Sequence, residues 1–222
     1  MFKNDHTYFN TTMKTEEAKV LLSNYKDALE KEIHADAVKY YNQICKNMRL
    51  RIAGNYIKPI NTFIRTTKTF ENRENFGFIV MGINCILVEL YFELINGYDE
   101  SSDGGNHIVD AYKTVLPQLD SEISTADAQK FYKGIRCGII HQGQTKENTA
   151  ITFEQDCIVE HNGEYYLCNP ESLFRELQNL YASYWKNISE KSYDEPLAQK
   201  MISKFTKILE HDTIVEVSRT SA

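Results

Sequence analysis

This sequence predicts a mainly α-helical protein with one small β-hairpin, on three observations. Apolar residues recur at helical spacing through most of the 222-residue chain. The stretch from Phe76 to Asn96 is apolar almost all round, as a helix is when neighbours cover it on most sides. Asn162-Gly163 is a two-residue hairpin turn between short runs of strand-forming residues.

The elements follow in order. Thr15 can cap a helix opened by Glu16 and Glu17, with Ala18, Leu21, Leu22, Tyr25, Leu29 and Ile33 as its apolar stripe. A second helix is expected from about Ala37 to Ile52, ended by Gly54 and Pro59, with a third segment starting near Ile60. Gly97 stops the apolar helix, and the polar Asp99 to Asn106 reads as an exposed loop before a short helix from Ile108 to Leu116. Ser124 or Thr125 can cap the next helix, whose buried stripe would be Ala126, Phe131, Ile135, Ile139 and Ile140 before Gly143 ends it.

Strands are expected at 149–153, 157–160 and 165–168, the last two joined at Asn162-Gly163. Asn169-Pro170-Glu171 reads as cap, first helical proline and early acid, opening a helix through Leu173, Leu177, Leu180, Tyr181 and Tyr184. A last helix runs from Pro196 to about Leu209, with a short strand expected at Thr213 to Val217. The organisation expected is an N-terminal helical region (1–74), a helical core with the hairpin near 149–168 (75–190), and a C-terminal helix and tail (191–222).

At 42% hydrophobic and 25% charged residues the composition is that of an ordinary folded protein. Met1 to His6 shows no apolar signal region, and Asn84, Glu89 and Glu93 interrupt the one long apolar stretch, so no membrane attachment is expected. The five cysteines (45, 85, 137, 157 and 168) contain no Cys-x-x-Cys pair, which argues against a disulfide framework or zinc ribbon and fits a reducing cytoplasm. Cys157 and Cys168 flank the hairpin and could face each other across it, but two thiols alone read as half-buried apolar residues.

The net charge of −6 is unevenly spread. Between Ala37 and Phe70 no acid occurs, while Lys39, Lys46, Arg49, Arg51, Lys58, Arg65 and Lys68 contribute seven positive charges. Tyr40, Tyr41, Tyr56 and Phe63 interleave with them, and cations among aromatics can track a phosphate backbone while stacking bases. Lys46, Arg49, Arg51, Lys58 and Arg65 are therefore candidate RNA contacts; the alternative is a solvated helix face with core tyrosines.

No glycine-rich phosphate loop, dinucleotide fingerprint or nucleophile elbow is present. His107 and Asp110 are spaced for a shared ligand, but such a pair on a short helix is usually unremarkable, and neither metal nor cofactor is implied. The segment that carries chemistry is Phe131 to Gly143. Gly134, Cys137 and Gly138 lie inside an otherwise apolar helix, where each glycine costs about 1 kcal/mol relative to alanine, so another backbone or a ligand must approach closely. Arg136 and His141 would set a fixed cation and a titratable imidazole beside that approach, a pairing suited to phosphate. Five residues turn an ideal helix through about 500°, leaving these side chains about 140° apart. Glu89 on the apolar helix needs either water or a cation such as Arg136.

An arginine followed after four to six residues by a histidine is the signature of the HEPN superfamily, and Arg136 and His141 match it. Ile135-Arg136-Cys137-Gly138-Ile139-Ile140-His141-Gln142-Gly143 resembles an "IRCGLLHQ" version found in prokaryotic proteins. The resemblance extends upstream through Cys85 to Leu90 and covers about residues 75–190. It implies a HEPN-like helical bundle and a metal-independent endoribonuclease, with Arg136 and His141 catalytic and Cys137, Glu89 and Gln142 in support. It also implies a homodimer that joins two motifs, and a setting in toxin-antitoxin or anti-phage systems with an antitoxin or regulatory protein as partner. Family members commonly place Asn, Asp or His directly after the arginine, where this chain has Cys137. The alternative is a non-catalytic module binding nucleotide, RNA or a partner protein on the same basic, glycine-lined surface.

Overall fold

The protein is described by a computed structural model covering residues 8–71 and 73–217. Met1 to His6, read above for a secretion signal, lies outside the described residues. Helices dominate, with a small three-stranded sheet, so the mainly α expectation holds. The chain divides into two compact units that are discontinuous in sequence: 1–57 with 93–99 and 184–222, and 58–92 with 100–183.

The first unit is built on α1 (Thr15–Glu30), α2 (His34–Ile52) and α9 (Pro196–Val217). Lys14, rather than Thr15, caps α1: its backbone N–H donates to Glu17 Oε2 at 2.7 Å, while Thr15 is buried as the first helical residue. Ala18, Leu21, Leu22 and Tyr25 form the inner face of α1 as expected, whereas Leu29 and Ile33 are exposed. On α2, Tyr41, Ile44 and Met48 are buried, and the Tyr41 hydroxyl donates to Ile188 O at 2.9 Å. Phe9 packs edge-on against Phe205 with centroids 4.9 Å apart. The expected terminal strand at Thr213–Val217 is absent; the backbone there continues α9.

Gly97 ends α4 (Gly77–Asn96) in a left-handed conformation (φ 70°), as its sequence position suggested. Lys204, Lys207 and Ser203 of α9 secure the segment that follows. Ser203 Oγ and Lys207 Nζ each donate to Gly97 O at 3.0 Å, and Lys204 Nζ donates to Asp99 O at 2.5 Å while pairing with Glu93 Oε2 at 2.7 Å. Cations are well placed at a helix C-terminus, where the last carbonyls lack helical partners.

The second unit contains α3 (Lys58–Thr67), most of α4, α5 (Ile108–Leu119), α6 (Thr125–Lys130), α7 (Cys137–Gln142), the sheet, and the first part of α8 (Pro170–Glu190). α2 ends at Ile52 as expected, but Gly54 and Pro59 do not interrupt the helical path after it. The chain instead makes a π-helical turn over Ala53–Ile57, and α3 begins at Lys58 with Pro59 in its first turn, where a missing N–H is tolerated. By length and composition α4 could span a membrane, but 56% of its most apolar window is buried within the protein. Asn84 on it is fully buried and donates to Pro170 O at 2.8 Å.

The predicted hairpin is present as β2 (Val159–Asn162) and β3 (Tyr165–Cys168), joined through Gly163 at φ 60°. A third strand, β1 (Thr149–Ile151), pairs parallel to β3, giving the order β1-β3-β2. Cys168 lies opposite Val159 and is buried, while Cys157 is exposed outside the strands, so the two thiols do not face each other. The Asn169 side chain caps α8, accepting from the Glu171 and Ser172 backbone N–H groups at 2.9 and 3.1 Å, as its sequence position indicated.

Candidate functional site

The predicted motif helix is three elements in series. Ser124 opens α6 with a capping box, its hydroxyl accepting from Asp127 N at 3.1 Å. A π-helical segment, Phe131–Arg136, follows, and then α7, which Gly143 ends in a left-handed conformation (φ 67°). The π turn shifts the helical phase, and the stripe read from α-helical spacing is correspondingly wrong at its ends. Phe131 and Ile135 are buried as expected, but Ala128 replaces Ala126 on the inner face and Ile140 is 52% exposed.

Arg136 sits at the junction of the π turn and α7 and reaches Glu89 of α4. Its Nε donates to Glu89 Oε1 at 3.0 Å and its Nη2 to Oε2 at 3.4 Å, the two-point geometry in which a guanidinium best matches a carboxylate. Tyr112 of α5 donates its hydroxyl to the same Glu89 Oε1 at 2.7 Å. The guanidinium also lies 5.8 Å from the Tyr132 ring centroid. Burial disfavours the arginine charge, but hydrogen bonding and attraction from Glu89 outweigh it, so the Arg136 pKa is raised. Burial, with a hydrogen bond to Cys137 second, raises the Tyr132 hydroxyl. Of the two partners sequence offered Glu89, it has the cation. Nη1 of Arg136 has no hydrogen-bond partner among the described residues.

His141 and Gln142 occupy the exposed last turn of α7, and their side chains make no hydrogen bond or ion pair with any described residue. Arg136, the last residue of the π segment, turns inward to Glu89, whereas His141 of α7 is exposed, so the two side chains diverge. Arg136, Glu89 and Cys137 are therefore brought together with Tyr112 and Tyr132, and His141 with Gln142 alone. Sequence reasoning missed both tyrosines; the signal available was that a half-buried Glu89 needs more partners than one arginine.

The two glycines have a different explanation from a ligand. A Cβ on Gly138 would lie 2.4 Å from Gln144 O, and one on Gly134 would lie 2.2 Å from Thr149 Cγ2 and 2.8 Å from Lys146 O. The approaching backbone is the chain's own return into β1, fixed by Lys146 N–H donating to Gly134 O at 3.1 Å. A glycine-lined ligand surface is accordingly not present. Gly82 of α4 is the opposite case, since its Cβ would meet open space. Gly138→Ala is expected to lower stability by about 1–3 kcal/mol through overpacking, whereas Gly82→Ala should be neutral or stabilising by up to about 1 kcal/mol. Urea unfolding midpoints of the two variants moving in the same direction would contradict this assignment.

The basic stretch is divided between uses. Arg51 donates to Phe9 O and holds its guanidinium 5.0 Å above the Phe9 ring, so it anchors the N-terminal segment. Lys46 and Arg49 are exposed on α2 and line one groove with Trp185. Lys58 and Arg65 are exposed on α3, seven residues apart and so on one face. Asp110 accepts the His107 backbone N–H at 2.7 Å as a helix cap, which explains that pair without a metal. Among the described residues no group of three or more His, Cys, Asp or Glu is placed to hold a metal ion. Comparison of the chain with protein families, with curated proteins and with solved structures finds no match in any of the three.

Proposed function

We propose that the protein is a metal-independent endoribonuclease of the HEPN type. The observation that carries this reading is the arginine itself: Arg136 is oriented by Glu89, Tyr112 and Tyr132, five residues before a solvent-facing His141. RNA can be cut by attack of its own 2′-hydroxyl on the adjacent phosphate, which calls for proton transfer and charge stabilisation and no metal. His141 moves the proton and Arg136 holds the phosphate. Because the two side chains diverge on one chain, the reading includes a homodimer in which one copy's Arg136 works with another's His141. Toxin-antitoxin or anti-phage action, with a protein that restrains the activity, belongs to the same reading.

A second reading has its own support. The two-point pair with Glu89 cancels the Arg136 charge, as in a structural ion pair, and favours a module that binds RNA, a nucleotide or a protein without cutting. Incubating the pure protein with end-labelled single-stranded RNA in excess EDTA separates the two. Cleavage with 2′,3′-cyclic phosphate ends is the expected result; intact RNA at every protein concentration leaves the binding module.

A further inference from the structure

The first unit holds a groove of about 190 Å³ between α2 and the last turns of α8. Lys46 and Arg49 enter it from one face of α2, and Trp185 of α8, 7% exposed, presents only an edge to it above the buried Ile188. Asn42 and Ser189 add polar groups, and the buried Cys45 lies beneath. No carboxylate lines the groove. Neither Lys46, Arg49 nor the Asn42 side chain has an ion pair or hydrogen bond with any described residue, unlike Arg51 of the same stretch. Burial pushes the Cys45 thiol up to about 11, so it stays neutral near pH 7 and does not oppose an anion.

Two unpaired cations three residues apart on a helix repel one another, and an anion bridging them relieves that repulsion. An inorganic anion would leave the exposed edge of Trp185 uncovered, and an apolar ring would leave the cations bare. We propose that this groove binds a nucleoside phosphate, with the phosphate on Lys46 and Arg49, the base against the exposed edge of Trp185, and the Asn42 amide at the base edge. The volume is below the about 300–1,000 Å³ of drug-sized sites, which suits a single base and not a stacked strand. The inference rests on reading these two cations as phosphate contacts and not on cleavage at Arg136 and His141.

Trp185 is the single tryptophan, so its fluorescence reports on the groove directly. Titrating the intact protein with AMP and with UMP should give saturable changes, with adenosine and inorganic phosphate binding at least tenfold more weakly. Lys46→Ala and Arg49→Ala should each weaken nucleotide binding about tenfold or more, as expected for losing a charged hydrogen bond. Both side chains are exposed, and far-UV circular dichroism verifies that the variants fold. Hexaadenylate binding more tightly than AMP would assign the phosphate to an RNA chain, and weaker or equal binding to a free nucleotide; either supports the site. No saturable change with nucleotide or hexaadenylate, or wild-type affinity in both alanine variants, overturns it. RNA cleavage and nucleotide binding are measured on the same preparations, so loss of the cleavage reading and loss of this one are separate outcomes.

Discussion

His141→Ala is expected to lower the rate of RNA cleavage by about 10²- to 10⁴-fold while leaving RNA affinity nearly intact. The asymmetry follows from side-chain chemistry. An imidazole, with a reference pKa of about 6.5, can give or take a proton near neutrality, whereas a guanidinium only binds and stabilises charge. His141 is also exposed and makes no contact that folding requires among the described residues, so its loss should not disturb stability. Arg136→Ala should weaken both affinity and rate, and it strips the Glu89 carboxylate of its cation. Combining it with Glu89→Gln removes that cost and isolates the functional loss. Single-turnover cleavage and filter binding on the same preparations decide the matter. Undiminished cleavage by folded His141→Ala protein would end the catalytic reading.

Lys204→Ala is expected to be among the most destabilising single changes, by about 3–5 kcal/mol, because it removes the cation from a buried pair and leaves the charge of Glu93 in place. Lys204 and Glu93 are only 5% and 8% exposed, and their charges meet at 2.7 Å. The same substitution also removes the Lys204 Nζ hydrogen bond to Asp99 O. Replacing both residues, as Lys204→Met with Glu93→Gln, should recover most of the loss, since an uncharged pair no longer bears the desolvation of two ions. Urea unfolding of the single and double variants measures the coupling. Equal destabilisation by Lys204→Ala and by the double variant would show that hydrophobic packing, and not charge, sets the cost.

Much of the secondary structure was legible because local signals decide it. Gly97 as a helix stop, Asn169 as the α8 cap, the hairpin (its turn one residue later than read, at Gly163-Glu164) and the apolar α4 are each read from a few adjacent residues. The need of Glu89 for a cation was legible too, since a carboxylate on an apolar helix must be paired or wet. Gly54 and Pro59 misled as chain breaks because a π turn over Ala53–Ile57 carries the path onward and Pro59 falls in the first turn of α3, where its missing N–H is tolerated. The same device at Phe131–Arg136 displaced the buried stripe and left Ile140 exposed.

By itself, then, the sequence determined the helical class, the hairpin and the segment that concentrates arginine, cysteine and histidine. Only the tertiary structure decided what those residues meet. Gly134 and Gly138 demanded a close approach, but which chain or ligand approached depended on the path of residues 144–149. Tyr112 and Tyr132 joined Arg136 because α5 and the π turn bring their rings to 5.5 Å of each other. Lys46 and Arg49 came to face Trp185 from more than 130 positions away in the chain, and Arg51 turned instead to Phe9. Spacing along a chain encodes which face of an element a residue occupies, and carries no information on which distant element will cover that face.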